Sequence, residues 1–436
     1  MLNGRVLCLL ALALTLLGSG CIFVAKVHYK AEDGVPIAPE VAADDDEIIG
    51  IALSGGGSRA AVFAAAGLEA LWEHGLLDRA DYISSVSGGS IAASYYVKKS
   101  RRDGEAVDAE FFRRFKEQMR HNYWSSIEWR QFYKMRWLSG TRRAVSLKEV
   151  LDQRFLDGVT LGDLTSVTPR LLINATLYDN GRRFVITTLD QEEVAIDAAR
   201  AEGTVKELAE ETALRPLTFA DEQVMGAVPG DMPLSLAVAA SASLPFVIGP
   251  VGVKVGPKYW HLGDGGMLDN TGVDTMEQVV LRKLQDREAP GRALILALDG
   301  GLRRDEEKFT GVRNFHVVGH PDAVFDMPGR RAEAYHGVVW KTVVEEQEEH
   351  VLEKRFMRYT EVVLEPHRLP DSCAAIEEFQ TEEVGSETLE AYIKQIPTHL
   401  KIEECDADLM ELLAHLVVHQ ELQDSYPLAH ECSCHE

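Results

Sequence analysis

The stretch IIGIALSGGGSRAAVFAAAGLEALWEHG, residues 48–75, places an apolar run of strand character before three glycines and a longer run with helical spacing. The same order returns in DYISSVS (81–87) followed by SIAASYYVKKS (90–100). Strands that alternate with helices are typical of a doubly wound α/β fold, with a mostly parallel central sheet and helices on both faces. Further strands are predicted at RLLINATLY (170–178), RFVITTL (183–189) and RALILALDG (292–300).

The overall composition indicates an ordinary globular protein with a large negative charge. The 436 residues are 46% hydrophobic and 26% charged, which allows a large core and excludes a disordered protein. The formal net charge of −24 disfavours nucleic acid as a partner and offers no general attraction to anionic lipid. Any contact with a lipid surface must therefore be local.

The first twenty residues have the pattern of an export signal. Arg5 precedes an apolar run from Val6 to Leu17, and small residues then lead to Cys21. Small residues followed by cysteine resemble the lipobox of bacterial lipoproteins, although Leu17 lies one position further from the cysteine than is usual there. The small residues also argue against an uncleaved signal anchor. We therefore expect a cleaved signal peptide (1–20), a lipid on Cys21, and anchorage in the bacterial cell envelope, with the outer membrane as the expected membrane.

Residues 21–47 are predicted to be a lipid anchor and tether, because they contain prolines and an acidic cluster without a sustained apolar period. The folded body is expected to begin at Ile48, with its main part over 48–300. Residues 301–436 are mostly helical in pattern and are interpreted as an extension of the same domain. Outside the leader and Cys21, four cysteines could form disulfides in three possible pairings: Cys373, Cys405, Cys432 and Cys434.

The glycine-rich stretch LSGGGSR (53–59) is the first that could take part in chemistry. Three glycines at the start of a helix allow backbone N–H groups to point toward one anion or developing oxyanion. A nucleotide-binding loop would instead have lysine followed by serine or threonine after its last glycine, and Ser58 and Arg59 do not match that pattern. A tight turn without chemistry is the other alternative.

A serine at a sharp corner between strand and helix is the second feature. A nucleophile elbow needs small residues two before and two after the nucleophile, since strand and helix pass close to each other there. Ser85 and Gly89 meet this need around Ser87, although serine replaces the usual first glycine. A helix N-cap serine is the structural alternative. Ser58 lies in a similar pattern, but Ser87 is preferred because the glycines before Ser58 are better used as donors.

A late aspartate in HLGDGGMLDNTGV (261–273) is the third feature. Asp264 follows a strand-like run and precedes two glycines, so its carboxylate can closely approach a neighbouring backbone. A surface Asp-Gly turn is the alternative. Asp269 and Asn270 are more easily interpreted as turn formers, and His261 is the candidate if a histidine takes part.

The order and spacing of these motifs resemble the patatin-like phospholipase family. Its pattern is a glycine-rich loop with a basic residue, a serine elbow, and a late Asp-Gly-Gly or Asp-Gly-Ala. The resemblance covers about residues 48–300. The stretches that carry it are SGGGSR (54–59), SVSGGS (85–90), NATLYDNGRRFVI (174–186), AVAASASLPFVIGPV (237–251) and DGGMLDN (264–270).

The resemblance implies a patatin-like three-layer sandwich and a lipid acyl hydrolase of the phospholipase A or lysophospholipase type. Ser87 would attack an acyl ester carbonyl and Asp264 would accept its proton, without a histidine between them. Arg59 would lie near the substrate. The oxyanion hole would be formed by the backbone N–H groups of Gly55, Gly56 and Gly57.

We expect no cofactor and no metal, and the substrate that the resemblance implies is a membrane lipid or another acyl ester. The competing class is a non-enzymatic envelope lipoprotein that uses the fold for binding or as a scaffold. The sequence leaves the headgroup and the cleaved acyl position open.

A basic, aromatic segment, residues 113–143, stands out in this acidic chain. It has nine Arg or Lys against two Glu, together with Trp124, Trp129 and Trp137. Aromatic rings with cations are suited to a membrane interface. A cap over the active site, packed by the tryptophans, is the alternative.

The C-terminus offers His415 and His419 at helical spacing and then HECSCHE (430–436). These residues could bind zinc, but Cys-x-Cys is closer than the usual spacing of zinc ligands. We therefore interpret the tail as solvated, with incidental thiols, and expect no metal.

Overall fold

The structure is a computed structural model that describes residues 27–32, 34–35, 47–136, 142–245, 247–287, 289–301, 321–347, 349–362, 369–375 and 386–430. The predictions on the leader, Cys21, Cys432 and Cys434 lie outside these residues. The strands are Val27–Ala31 (β1), Gly34–Val35 (β2), Glu47–Leu53 (β3), Tyr82–Val86 (β4), Arg170–Leu177 (β5), Arg182–Ile186 (β6), Val228–Pro229 (β7), Val251–Val255 (β8), Lys258–Asp264 (β9), Arg292–Asp299 (β10) and Val351–Arg358 (β11).

The α-helices surround these strands and are numbered in chain order. They are Gly57–Glu73 (α1), Gly88–Tyr96 (α2), Ala109–Met119 (α3), Tyr123–Tyr133 (α4), Arg143–Leu151 (α5), Gln191–Val194 (α6), Gly203–Glu210 (α7), Leu234–Ser241 (α8), Val273–Gln285 (α9), Pro321–Glu346 (α10), Ser386–Ile393 (α11) and Glu404–Leu422 (α12). Within the described residues, none of the helices combines the length and the apolar composition that crossing a bilayer requires.

A nine-stranded mixed sheet lies at the centre, in the order β1-β8-β9-β5-β4-β3-β10-β11, with β6 paired to β5. The neighbours from β5 through β4, β3 and β10 to β11 are parallel, whereas β9 runs antiparallel to β5 and β8. The residues of β5 are all buried, as are all but the first of β3 and β10. Continuous apolar runs of this kind suit parallel strands that are covered on both faces.

Alternate side chains of the central strands β3, β5 and β10 enter two different apolar cores. On β10, Leu294 and Leu296 join the larger core, while Ala293 and Ile295 join the smaller one. The larger core contains side chains of α1, α2, α8 and α12, and the smaller one contains side chains of α7, α9 and α10. Helices therefore cover both faces, and the predicted α/β class with a mostly parallel sheet is confirmed.

Two strands lie in the stretch predicted to be a tether, so the folded body begins earlier than Ile48. β1 pairs in parallel with β8, and β2 pairs with β7. β1 is an edge strand in which only Ala31 is buried. Backbone hydrogen bonds to β8 hold it there, and such bonds need no apolar period in the sequence. The prediction of a tether over 21–47 is corrected accordingly.

The C-terminal region completes the same sheet and core. β11 pairs with β10 along all eight residues, and α12 packs on α1. A disulfide joins Cys373 to Cys405 at the start of α12, which selects one bond among the possible pairings. The strand at 351–358 was not expected in a region interpreted as mostly helical.

Candidate active site

The elbow predicted at Ser87 is a sharp turn between β4 and α2. Ser87 has φ 49° and ψ −112°, a backbone conformation that non-glycine residues rarely adopt. Such strain costs about 1–3 kcal/mol and persists only where the surroundings hold it, commonly at catalytic positions. An ordinary N-cap serine does not fit, since the Ser87 side chain makes no capping hydrogen bond to α2.

Close backbone contacts explain the two glycines that follow Ser87. A Cβ atom on Gly88 would lie 2.0 Å from the carbonyl oxygen of Gly57. A Cβ atom on Gly89 would lie 2.5 Å from that of Leu53. The elbow and the glycine-rich loop therefore meet backbone against backbone, and a side chain at either glycine would push them apart.

A chain of hydroxyl groups holds the elbow in place. Ser241 Oγ accepts the N–H of Ser87 at 2.9 Å and donates to the carbonyl oxygen of Asn174 at 2.6 Å. Ser90 Oγ lies 3.0 Å from Ser241 Oγ and donates to Ser85 Oγ at 3.1 Å. Serine can therefore replace the usual glycine at position 85, because its buried hydroxyl has a partner.

The strand register brings Asp264 to the elbow. Val86, the residue before Ser87, pairs with Asn174 on β5. The next residue of β5, Ala175, pairs with Asp264 at the end of β9. Ser87 and Asp264 are far apart in the sequence, but they lie beside neighbouring positions of β5.

Asp264 is a buried carboxylate beside the elbow. Its Oδ1 accepts the N–H of Gly266 at 2.8 Å, and the Ser87 side chain lies close enough to lower its pKa. Burial outweighs both effects and raises the pKa of Asp264 to about 6. A carboxylate with this pKa is a stronger base than an ordinary aspartate and is still mostly ionised at neutral pH.

The glycine-rich loop supplies N–H groups next to the elbow. Gly56 and Gly57 have φ of 145° and 65°, and in the described part of the chain their N–H groups have no acceptor. The same holds for Gly88, while the N–H of Gly55 is already donated to the carbonyl oxygen of Asn270 at 2.8 Å. Gly57 and Gly88 begin α1 and α2, so the positive ends of two helix dipoles meet here.

Substrate binding by Arg59 stays a prediction, and the structure shows which contacts hold its side chain. The side chain is fully buried, with Nε donating to the carbonyl oxygen of Gly300 at 2.9 Å and Nη1 to that of Ile396 at 2.5 Å. Its guanidinium also lies 5.7 Å from the centre of the Tyr359 ring. These contacts fasten the start of α1 to the end of β10 and to the C-terminal region.

The rival candidates have surroundings that differ from those of Ser87 and Asp264. Ser58 is 1% exposed in the first turn of α1, and no described residue contacts its hydroxyl by a hydrogen bond. Asp269 accepts hydrogen bonds from the turn that follows it, as expected for a turn former. His261 contacts Asp179 through Nδ1 at 2.8 Å. Its odd spacing from Asp264 on β9 places the two side chains on opposite faces of the strand.

Sequence reasoning missed the supporting residues Ser241 and Asn174. Both lie in stretches that carry the family resemblance, 237–251 and 174–186. A small polar residue in an otherwise apolar run is the signal that could have singled them out, because a buried hydroxyl or amide must find a partner.

The basic, aromatic segment is partly core and partly surface. Tyr123 and Ile127 of α4 are fully buried, and Trp124 is half-buried with the Arg143 guanidinium 5.5 Å from its ring centre. Trp137 lies outside the described residues. An aromatic surface at the end of α4 consists of residues that are 66–75% exposed: Trp129, Phe132, Tyr133 and Met135.

Comparison with known proteins gives one family. The family described as patatin-like phospholipase matches residues 51–276, just over half of the chain, and this range contains the loop, the elbow and the late aspartate. No curated protein matches. The crystal structure of VipD from Legionella pneumophila matches with 12% identity and a TM-score of 0.26. That match covers 64% of this chain and 52% of VipD, so the chain spans about half of VipD.

Proposed function

The chain belongs to the patatin-like phospholipase family, and on this premise we propose that it cleaves lipid acyl esters through a dyad of Ser87 and Asp264. The observation that carries the proposal is the placement of the strained Ser87 beside the buried carboxylate of Asp264, which the register of β4, β5 and β9 brings together. A serine on a strained elbow, a base in contact with it and N–H donors beside it are the parts that acyl transfer requires.

In the first step, Ser87 Oγ attacks the ester carbonyl carbon while its proton passes to Asp264. The negative charge that develops on the carbonyl oxygen is accepted by the N–H groups of Gly56, Gly57 and Gly88, which are the donors we propose for the oxyanion hole. Asp264 then gives the proton to the departing alcohol oxygen, and the acyl group stays on Ser87 as an ester.

In the second step, water replaces the alcohol. Asp264, again ionised, takes a proton from the water as its oxygen attacks the acyl carbonyl carbon, and the proton returns to Ser87 Oγ when the fatty acid leaves. The raised pKa of Asp264 supports both roles, because an acid–base group works best when its pKa lies near the operating pH.

A binding or scaffold role without catalysis remains the competing proposal. Turnover of a short-chain ester and of phospholipid vesicles by the chain without its leader decides between the two. Hydrolysis of either substrate that depends on Ser87 supports the hydrolase proposal. If neither substrate is hydrolysed, that proposal is rejected.

We propose that the aromatic surface enters the lipid layer. Its rings stand free of the apolar core, and those of Trp129 and Phe132 stack at 6.2 Å. α4 packs on α5, and α5 packs on α8, whose last residue Ser241 holds the elbow. Aromatic side chains favour the boundary between headgroups and acyl chains, and only a local patch can overcome the charge of this chain.

Replacing both Trp129 and Phe132 with serine should lower vesicle hydrolysis by ~10-fold or more, while short-ester hydrolysis stays within about twofold. Each ring that enters the lipid contributes about 1.5–3 kcal/mol of apolar transfer, and a soluble ester needs no such contact. Initial rates on the two substrates measure the effect. Tyr259→Ala, at an exposed aromatic residue on β9, is the control. Equal losses on both substrates with a lowered melting temperature would instead assign these rings to packing.

We also propose that Cys21 carries a lipid and that the protein is anchored in the bacterial cell envelope, in the outer membrane. The disulfide between Cys373 and Cys405 supports an oxidising location, where such bonds form and persist. The leader pattern supports export.

Cys21→Ala should release the protein from the membrane fraction or block its processing, because a lipid-bearing cysteine is then missing. Cell fractionation and mass spectrometry of the N-terminus measure this. Cys8→Ala, which alters the other cysteine of the leader region, should leave both unchanged. An unmodified N-terminus or a retained leader in the wild type would reject the anchor.

A further inference from the structure

A second cluster of polar side chains lies between α1 and α12, and the proposed hydrolysis does not use it. Glu73, in the last turn of α1, faces His415 and His419, which are one helical turn apart on α12. Glu73 Oε2 lies 3.1 Å from His419 Nε2 and 3.7 Å from His415 Nδ1. The ligand atoms of the three residues all lie within 4.8 Å of one another.

These separations suit a shared metal ion. A tetrahedral zinc ion with ligands at about 2.0–2.2 Å keeps neighbouring ligand atoms about 3.3–3.6 Å apart. The two distances from Glu73 Oε2 lie just below and just above that range. Two histidines and a glutamate are an established zinc ligand set that leaves the fourth position for water.

In each histidine, the outer ring nitrogen, which is the one that points away from Glu73, already has a hydrogen-bond partner. His415 Nε2 lies 3.1 Å from Glu69 Oε2, and a carboxylate accepts, so this nitrogen carries the hydrogen. His419 Nδ1 lies 2.9 Å from His74 Nε2, and His74 Nδ1 contacts the carbonyl oxygen of Tyr426. Since a carbonyl only accepts, a neutral His74 presents a bare Nε2, and His419 donates to it from Nδ1.

In neutral histidines with these hydrogen bonds, the inner nitrogens carry lone pairs. His415 Nδ1 and His419 Nε2 both face the carboxylate of Glu73, so either protons on these nitrogens or a shared cation must lie between them. Metal-binding histidines typically have their other nitrogen held by a carboxylate or a similar group, as both have here.

The surroundings of Glu73 also call for a cation. The carboxylate lies at the negative end of the α1 dipole, and the last turn of that helix contains no basic residue. The nearby cation Lys116 contacts Glu69, at 2.6 Å, and not Glu73. The His419 side chain is 31% exposed, so an ion can enter from solvent.

Another cluster, formed by Asp274, Glu277 and His336, lacks the geometry of a metal site. His336 lies 3.4 Å from Asp274 through Nδ1 and 3.0 Å from Glu277 through Nε2. One imidazole cannot direct both nitrogens at the same ion, and Lys354 already contacts Glu277 at 2.5 Å. This group is an ion-pair cluster and serves as an internal control.

We infer that Glu73, His415 and His419 bind a divalent transition-metal ion, with zinc as the expected ion, and that this ion fastens α12 to α1. The inference is independent of the hydrolase proposal. The sequence-based expectation of no metal depended on the cysteine spacing in the tail. It could not include Glu73, which reaches the histidines only through the packing of α1 against α12.

The test is zinc binding by the chain without its leader, after removal of metal with a chelator. Competition with a chromophoric chelator should show one tightly bound ion, and saturating zinc should raise the melting temperature by ~3 °C or more. His419→Asn should weaken binding by ~100-fold or more, with little change in the melting temperature of the metal-free protein. His336→Asn, and the double variant Cys432→Ser with Cys434→Ser, should bind as the wild type does.

Three results would overturn the site. They are a wild type that binds no zinc or only weakly at many places, unchanged affinity in His419→Asn, and loss of binding in the cysteine variant, which would assign the ion to the tail. If His419→Asn does not fold, Glu73→Gln removes one ligand at almost constant size and must show the same loss. Cobalt in place of zinc should give the visible absorption of a four-coordinate site.

Discussion

Replacing Ser87 with alanine is expected to lower kcat/KM for an ester substrate by ~10⁴-fold or more, because no acyl intermediate can form without the hydroxyl oxygen. The backbone is held by contacts that do not involve this side chain, including the N–H bond to Ser241. The melting temperature should therefore change little. Purified wild-type and variant protein, assayed side by side on a short-chain ester, give the measurement.

Ser58→Ala is the matched control for Ser87→Ala, since Ser58 was the rival nucleophile and lies in the loop that faces the elbow. We expect it to keep most of the activity. A fluorophosphonate should label Ser87 in the wild type, because such reagents modify serines activated beside an oxyanion hole. Labelling of Ser58 with Ser87 untouched would reverse the assignment of nucleophile and donor loop.

Changing Asp264 to asparagine is expected to lower kcat/KM by ~10³-fold, since the isosteric amide keeps a hydrogen bond but cannot accept a proton. In the wild type, kcat/KM should fall as the pH drops through about 6, where the carboxylate becomes protonated. The residual activity of Asp264→Asn should lack this acidic limb. A pH profile of both proteins on a soluble ester measures it.

Asp264→Asn is also expected to stabilise the fold. The pKa rises from about 3.8 in the unfolded chain to about 6 in the folded one, so the folded protein binds the extra proton between these pH values. The contribution of Asp264 to the free energy of unfolding is therefore greatest below about pH 4. It falls as the pH rises through 6, by about 3 kcal/mol in total. An uncharged amide does not suffer this loss, so the variant should unfold at higher denaturant concentration at pH 7 to 8, with a difference that shrinks toward pH 4.

His261→Ala is the control for Asp264→Asn. We expect near-normal turnover, because His261 faces away from Asp264 and binds Asp179. Should Asp264→Asn keep its turnover while His261→Ala loses it, a histidine-based mechanism would replace the dyad.

The motifs of the candidate site could be recognised in the sequence because each is local. A strand, a serine and two glycines define the elbow within a few residues, and the crowding around Gly88 and Gly89 shows why glycine is needed there. The alternation of apolar runs predicted the sheet for a similar reason, since strands buried on both faces are hydrophobic throughout.

What the sequence did not reveal depends on distant partners. Arg59 looks like a ligand-binding cation beside a glycine loop, yet its acceptors come from residues 300 and 396. The N–H of Gly55 is engaged by Asn270, whose position is fixed only when β9 enters the sheet. β1 carries no apolar pattern because an edge strand needs only a backbone partner.

The edge position of β1 limits how far the folded body can lie from the lipid anchor proposed at Cys21. If Cys21 bears the proposed lipid, only the chain from residue 21 to residue 27 links the anchor to β1. An extended chain advances about 3.3–3.6 Å per residue, so this linking segment spans at most about 20 Å. A free chain from residue 21 to Ile48 would span about 90 Å. With the proposed lipid in place, so short a link would keep β1 close to the leaflet that holds the anchor.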